Sequence, residues 1–240
     1  MLAAGALLSG RGWGLPLIVV GLLLALIGLS IGVHAHGWVT VLDGPVASWI
    51  NHRLQQSHRL RPAAEAVAHL GNPAAVAMAA VVSGALLSTH YRSLIPGLVV
   101  VFATGTAVLA KDIMKVLIER PVTEAEFAAS PVLSSNPHPF PSGHVAGIAT
   151  LLGIVAAGIG VRGGAALRLL LASCVFAGTS IVAVSRLVLE AHWFSDAVGG
   201  VLLEGIVVTI GTGALWGASR AGQRQARVHR NAPQKGRLRT

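Results

Sequence analysis

Six stretches, near residues 14–33, 73–89, 94–117, 144–161, 167–189 and 195–217, stay apolar for close to the roughly 20 residues that a helix needs to cross a bilayer. Nothing in the chain constrains the fold more, because in hydrocarbon every backbone N–H and C=O must be bonded within its own segment, which runs of this kind achieve as helices. Composition agrees: of 240 residues, 53% are hydrophobic and only 11% charged, with a mean hydropathy of +0.70. That is more apolar surface than a soluble core of this size uses. The expected fold is therefore all-α, an integral membrane bundle of six transmembrane helices over residues 1–217, with a basic, disordered cytoplasmic tail at 218–240. The first run is read as a retained span, since it is long for a signal segment although Arg11 precedes it.

The excess of 18 Lys and Arg over 9 Asp and Glu is no sign of nucleic acid, because seven of the basic residues crowd into the tail after residue 219. Together with Arg11, Arg92, Arg162 and Arg168 they fall on one side of the six spans, which predicts that side, and both termini, to be cytoplasmic in a multi-pass plasma-membrane protein. A single cysteine, Cys174, rules out an internal disulfide. Between the first two spans, Pro45 is placed to start a helix, and Val46, Trp49, Ile50 and Leu54 follow at helical spacing. This predicts a short helix on the extracytoplasmic membrane surface.

Polar residues gather where spans three, four and five to six meet that outer face. One group is Lys115 with Arg120 and Pro121; the next is Pro141, Ser142, Gly143 and His144; the last runs from Ser185 and Arg186 to His192 and Asp196. Brought together, they supply cations, a hydroxyl, a glycine that lets backbone approach a ligand, two imidazoles and one carboxylate. Such a set suits a phosphoryl group, which Arg grips with two hydrogen bonds, Lys meets as a point charge and helix N-termini attract. Phosphoryl transfer also needs a nucleophile and an acid. His192 and Asp196 are four apart and share a helix face, so the carboxylate can hold one ring nitrogen and leave the other to attack; His144 is left as general acid. Few carboxylates accompany them, so the expectation is a metal-free site without a cofactor.

These residues resemble the motifs of the type 2 phosphatidic acid phosphatase family, whose active-site architecture is shared with vanadium haloperoxidases. The family's Pro-Ser-Gly-His is matched by Pro141, Ser142, Gly143 and His144, and its Ser-Arg, five residues, His, three residues, Asp by Ser185, Arg186, His192 and Asp196. The resemblance implies His192 as nucleophile, Asp196 as its partner, His144 as general acid, and Ser142, Gly143 and Arg186 as phosphate ligands, beside Lys115, which the charge inventory already offers for phosphate binding. Its first motif, Lys, six residues, Arg and Pro, is incomplete: counted from Lys115, the Arg position holds Val122, and of a doubled Arg-Pro only Arg120 and Pro121 remain. Either Arg120 binds phosphate from two residues earlier, which is the favoured expectation, or one ligand is missing.

The expected activity is hydrolysis of a lipid phosphomonoester or diphosphate through a phosphohistidine. A polyprenyl diphosphate is favoured over phosphatidate or phosphatidylglycerophosphate on the outward-facing site alone. A lipid phosphotransferase and a non-catalytic lipid-binding membrane protein are the alternatives. The partners implied are the lipid substrate and the bilayer. Lys111 and Asp112 read as a structural pair, Glu119 as able to pair with Lys115, Glu190 and Trp193 as interface residues, and Gly199 and Gly200 as sites of close helix packing. Glu204, two turns below Asp196, should face the bundle, with Lys111 as a candidate partner.

Overall fold

The computed structural model describes residues 14–55, 57, 59–120 and 138–231, and every regular element among them is helical. In chain order these are α1 (Gly14–His34), a 3-10 turn (Trp38–Thr40), α2 (Asp43–Gln55), α3 (Leu60–Leu70), α4 (Pro73–Tyr91), α5 (Leu94–Ile118), α6 (Gly143–Gly160), α7 (Ala165–Val188) and α8 (Phe194–Asn231). Six of them, α1 and α4 to α8, are long and apolar enough to cross a membrane, with mean hydropathy from 1.4 to 2.6 over their most apolar windows. All six coincide with the runs expected from sequence.

Local chemistry sets the boundaries. Asn72 caps α4, its side chain accepting the Ala74 N–H at 3.0 Å, with Pro73 in the first turn where a missing N–H costs nothing. Ser93 caps α5 in the same way. At its far end α5 stops because Glu119 turns left-handed (φ 39°), which swings Arg120 out of the helical path and back toward the bundle.

The bundle is built around α6, which packs against α4, α5, α7 and α8. Val76, Ala80, Val100, Ala107, Leu151, Ile154 and Val207 form one core cluster across α4, α5, α6 and α8; Leu26, Val33, Phe140, Ala146, Leu203 and Ile206 form another where α1 meets α8. Large apolar side chains such as Leu24, Leu86, Phe102, Leu109, Phe176 and Ile210 point outward instead. This inside-out pattern suits a protein whose solvent is lipid, where spans associate through close packing because lipid tails are as apolar as the core.

Two expectations are revised. The segment between the first two spans forms two helices, not one. In α2, Ile50 is buried against Ala64 of α3 and Val188 of α7, with Val46 and Leu54 beside it, as the helical spacing predicted, while Trp49 is exposed. The second helix, α3, escaped notice because Pro62 interrupts its sequence; Pro62 sits in the first turn, where proline is tolerated. The tail is also not structureless from residue 218, since α8 continues to Asn231. Ala, Arg and Gln are good helix formers and extend a helix that α8 has already nucleated. Residues 232–240 lie outside the described part, as do Val122 and Thr123.

Candidate active site

The three polar clusters meet at one end of the bundle. Ser142 stands at the N-cap of α6 and its main-chain N–H donates to the Asp196 carbonyl at 3.0 Å, joining the second cluster to the third. Gly200 makes this possible: a Cβ there would lie 2.9 Å from the Ser142 carbonyl oxygen, so only glycine lets α8 approach that backbone. By helix geometry the leading N–H groups of α6 have no intrahelical acceptor, and they present the positive end of the helix here.

His192 lies between α7 and α8 and is 6% exposed. Its Nδ1 faces Asp196 Oδ2 at 3.5 Å, so Nε2 is the ring nitrogen turned away from that carboxylate. That contact is longer than a formed hydrogen bond. Burial pushes the His192 imidazole below its ordinary pKa, with Arg186 and Lys115 acting in the same sense and Asp196 opposing them. His144, in the first turn of α6, has Arg186, His192, Lys111 and Lys115 near enough to act on it electrostatically. Five buried side-chain atoms in this neighbourhood, His138 Nδ1, Ser142 Oγ, Arg186 Nε, His192 Nδ1 and Trp193 Nε1, have no hydrogen-bond partner among the described residues. Lys115 donates to the His138 carbonyl, not to Glu119, which has left the helix.

Arg120 points into a buried cluster of acids and a hydroxyl. It is 3% exposed; Nη1 donates to Asp196 Oδ1 at 2.6 Å and to Ser195 Oγ at 2.8 Å, and Nη2 to Asp43 Oδ2 at 2.9 Å. Asp43, the first residue of α2, also accepts the Ser195 N–H at 2.8 Å and the Ser195 hydroxyl at 2.7 Å. Burial alone would lower the Arg120 pKa, but Asp196 and Asp43 together raise it above its ordinary value. Trp193, expected at the interface, is buried with its ring 5.7 Å from this guanidinium. Asp43 and Ser195 went unremarked in the sequence. The available signal was an acidic residue just ahead of Pro45, which reads equally as a helix-start charge.

Lys111 pairs with Asp112 as expected, yet its aliphatic stem also lies against Gly143, where a Cβ would meet it at 3.2 Å. Glu204 does face inward, but among the described residues it has no ion-pair partner; it borders a cleft of about 480 Å³ between α6, α7 and α8. Gly199 packs against the Phe140 ring, so Gly199 and Gly200 both serve close approach. No group of three or more His, Cys, Asp or Glu able to hold a metal occurs among the described residues.

A family model for the PAP2 superfamily matches residues 94–220, a stretch that contains all three clusters. No curated protein matches the chain. Among solved structures, the crystal structure of the first transmembrane PAP2 type phosphatidylglycerolphosphate phosphatase from Bacillus subtilis is similar, with a TM-score of 0.65 and 21% identity over 92% of this chain and 98% of that one. At that identity the likeness speaks for the fold. Because the family model takes in more than half of the sequence and the motifs within it adjoin one another in space, the chain belongs to the PAP2 superfamily.

Proposed function

We propose that this chain is a membrane phosphatase that hydrolyses a lipid phosphate through a phosphohistidine on His192. The observation that carries the reading is the group of unpartnered buried atoms, Ser142 Oγ and Arg186 Nε, beside a His192 whose Nδ1 faces a carboxylate. Leaving a buried polar group unpaired costs about 1–3 kcal/mol, so several in one place call for a ligand that pairs with them. A phosphoryl group has the acceptor oxygens to do so.

In the first step His192 Nε2 attacks phosphorus. The P–N bond forms as the P–O bond to the lipid breaks, and His144 gives its proton to the departing oxygen. Water then attacks phosphorus, His144 takes the proton from that water, and the P–N bond breaks to release phosphate. Asp196 keeps Nδ1 protonated throughout. Arg186, Lys115, Ser142 and the N–H groups around Gly143 offset the charge on the equatorial oxygens. No step calls for a metal ion.

For substrate we favour a phosphomonoester on a glycerophospholipid over a polyprenyl diphosphate. The donors of Arg120 face Asp43, Ser195 and Asp196, and Lys111 is paired with Asp112, which leaves Lys115 and Arg186 for the anion, enough for one phosphoryl group more readily than two. The site belongs on the extracytoplasmic side. Support comes from the opposite end of the bundle, where Arg162 lies over Tyr91 and Arg168 over Trp216 beside the basic tail.

The test is to offer purified protein phosphatidate, phosphatidylglycerophosphate and a polyprenyl diphosphate in detergent with excess EDTA. Phosphate release from the monoesters, resistant to chelator, inhibited by vanadate and abolished in His192→Ala, is the expected result. A strict requirement for added Mg²⁺, or full activity in His192→Ala, would refute the mechanism.

A further inference from the structure

We propose that Arg120 and Asp43 are positioning residues, a buried relay that fixes the carboxylate on which His192 depends and makes the surface helix α2 part of the catalytic machinery. The inference rests on the phosphatase reading above and assigns Arg120 a different role from the phosphate ligand that its place in the motif suggests.

Consider first what Asp196 requires. Its Oδ2 accepts the Trp193 N–H at 2.9 Å and faces His192, so the useful direction of this carboxylate is set by what holds Oδ1. That partner is Arg120, at 2.6 Å. The guanidinium is in turn held by Asp43, and Ser195 links the two carboxylate sites, accepting from Arg120 Nη1 and donating its own hydroxyl to Asp43 Oδ2. Asp43 also accepts the Ser195 main-chain N–H, so it serves as a helix cap for α8 supplied from 152 positions earlier in the chain.

Charge and donor geometry argue against a direct role in binding phosphate. Both terminal nitrogens of Arg120 are committed, to two carboxylates and a hydroxyl. One guanidinium between two carboxylates forms a cluster with net negative charge, which repels an anion. The cluster is closed from solvent, with Arg120 3%, Asp43 4%, Ser195 2% and Asp196 0% exposed. A buried set of this kind is held by its hydrogen bonds, and breaking one member leaves the others uncompensated.

The consequence is a split between turnover and binding. Asp43→Asn keeps the shape and removes the charge; Ser195→Ala keeps the charges and removes the bridge. Each should lower kcat by about 10-fold or more, the scale seen when an outer partner of a reacting group is lost, while KM and the vanadate inhibition constant stay within about twofold. A residue that only anchored α2, with no influence on the charge around His192, would not move the pH profile. Here the groups acting on His192 are Asp196 alongside it, Arg186 from α7, Lys115 from α5 and His144 from α6, with Asp43 and Glu190 bordering the same small cavity. Removing the Asp43 charge makes this surrounding more positive, so the acid limb of kcat/KM should move to lower pH in Asp43→Asn.

The experiment measures kcat, KM, vanadate inhibition and the pH profile of purified wild type, Asp43→Asn, Ser195→Ala and Arg120→Lys on one lipid phosphomonoester, with His192→Ala as control. If His192→Ala retains activity, the phosphatase mechanism fails and the relay fails with it. If His192→Ala is dead but Asp43→Asn and Ser195→Ala turn over like wild type, the relay alone is refuted. A rise in KM and in the vanadate constant of Arg120→Lys, with kcat preserved, would also overturn it by making Arg120 a phosphate ligand. Should Asp43→Asn fail to fold, Ser195→Ala decides by the same criteria.

Discussion

The main-chain N–H of Ser142 donates to the main-chain carbonyl of Asp196 at 3.0 Å, so the turn that opens α6 and the carboxylate beside His192 are fastened backbone to backbone. Side-chain mobility in neither residue can loosen this joint. Its accuracy depends on how closely α8 approaches the N-terminus of α6.

That approach makes Gly200 sensitive. In Gly200→Ala the new Cβ would stand 2.9 Å from the Ser142 carbonyl and 3.2 Å from the Val145 Cβ, and a backbone oxygen cannot rotate away. The expected cost is about 1–3 kcal/mol of stability, with activity lowered by at least about 10-fold through displacement of Ser142. Gly21→Ala, where nothing lies within 4 Å, is the control and should leave both unchanged. Thermal unfolding in detergent and specific activity check the pair.

Burial holds the His192 pKa below its ordinary value of about 6.5, so the imidazole stays neutral and nucleophilic in mildly acidic solution. The acid limb of kcat/KM should therefore fall below about pH 6.5. The sign for stability follows from the same depression. As pH drops through the unfolded value the unfolded chain takes up a proton that the folded site resists, so this residue's contribution, present at neutral pH, is lost on acidification. His192→Gln should flatten that part of the stability curve; an unchanged curve would show that His192 does not titrate in this way.

Glu204 has no ion-pair partner among the described residues and faces an apolar cleft, so a carboxylate there costs stability. Glu204→Gln should retain activity within about twofold and unfold at the same temperature or higher. Loss of activity with folding intact would give this residue a place in the reaction.

The orientation is open to a labelling test in a Cys174→Ser background. A cysteine at Ser57, between α2 and α3, should react with a membrane-impermeant maleimide in intact cells. A cysteine at Gly163, between α6 and α7, should react only after the cells are opened. The reverse pattern would place the active site in the cytoplasm.

What was readable in the sequence depended on range. The six spans announce themselves because each is a local apolar run, and the pairing of His192 with Asp196 because only four positions separate them, although His192 lies just ahead of α8 and not on it. The clustering of Ser142 with Asp196 was inferable from chemistry, since a phosphate site needs both. Asp43 and Arg120 were another matter. They lie 77 positions apart, and nothing in local spacing, periodicity or charge distinguishes their contact from any other pairing of an acid with a base. The left-handed turn at Glu119, a residue with no special liking for that conformation, decides where Arg120 points, and sequence gives no sign of it. Pro62 concealed α3 because proline is a stop signal in mid-helix and a permitted guest in the first turn.

The central place of α6 carries one last implication. Since this helix is wrapped by four other spans, a change of bilayer thickness acts chiefly on its neighbours, which tilt or stretch to match the new acyl length. The mount for His144 is thereby insulated from the surrounding lipid, and turnover in vesicles of shorter or longer chains should vary much less than the melting temperature does.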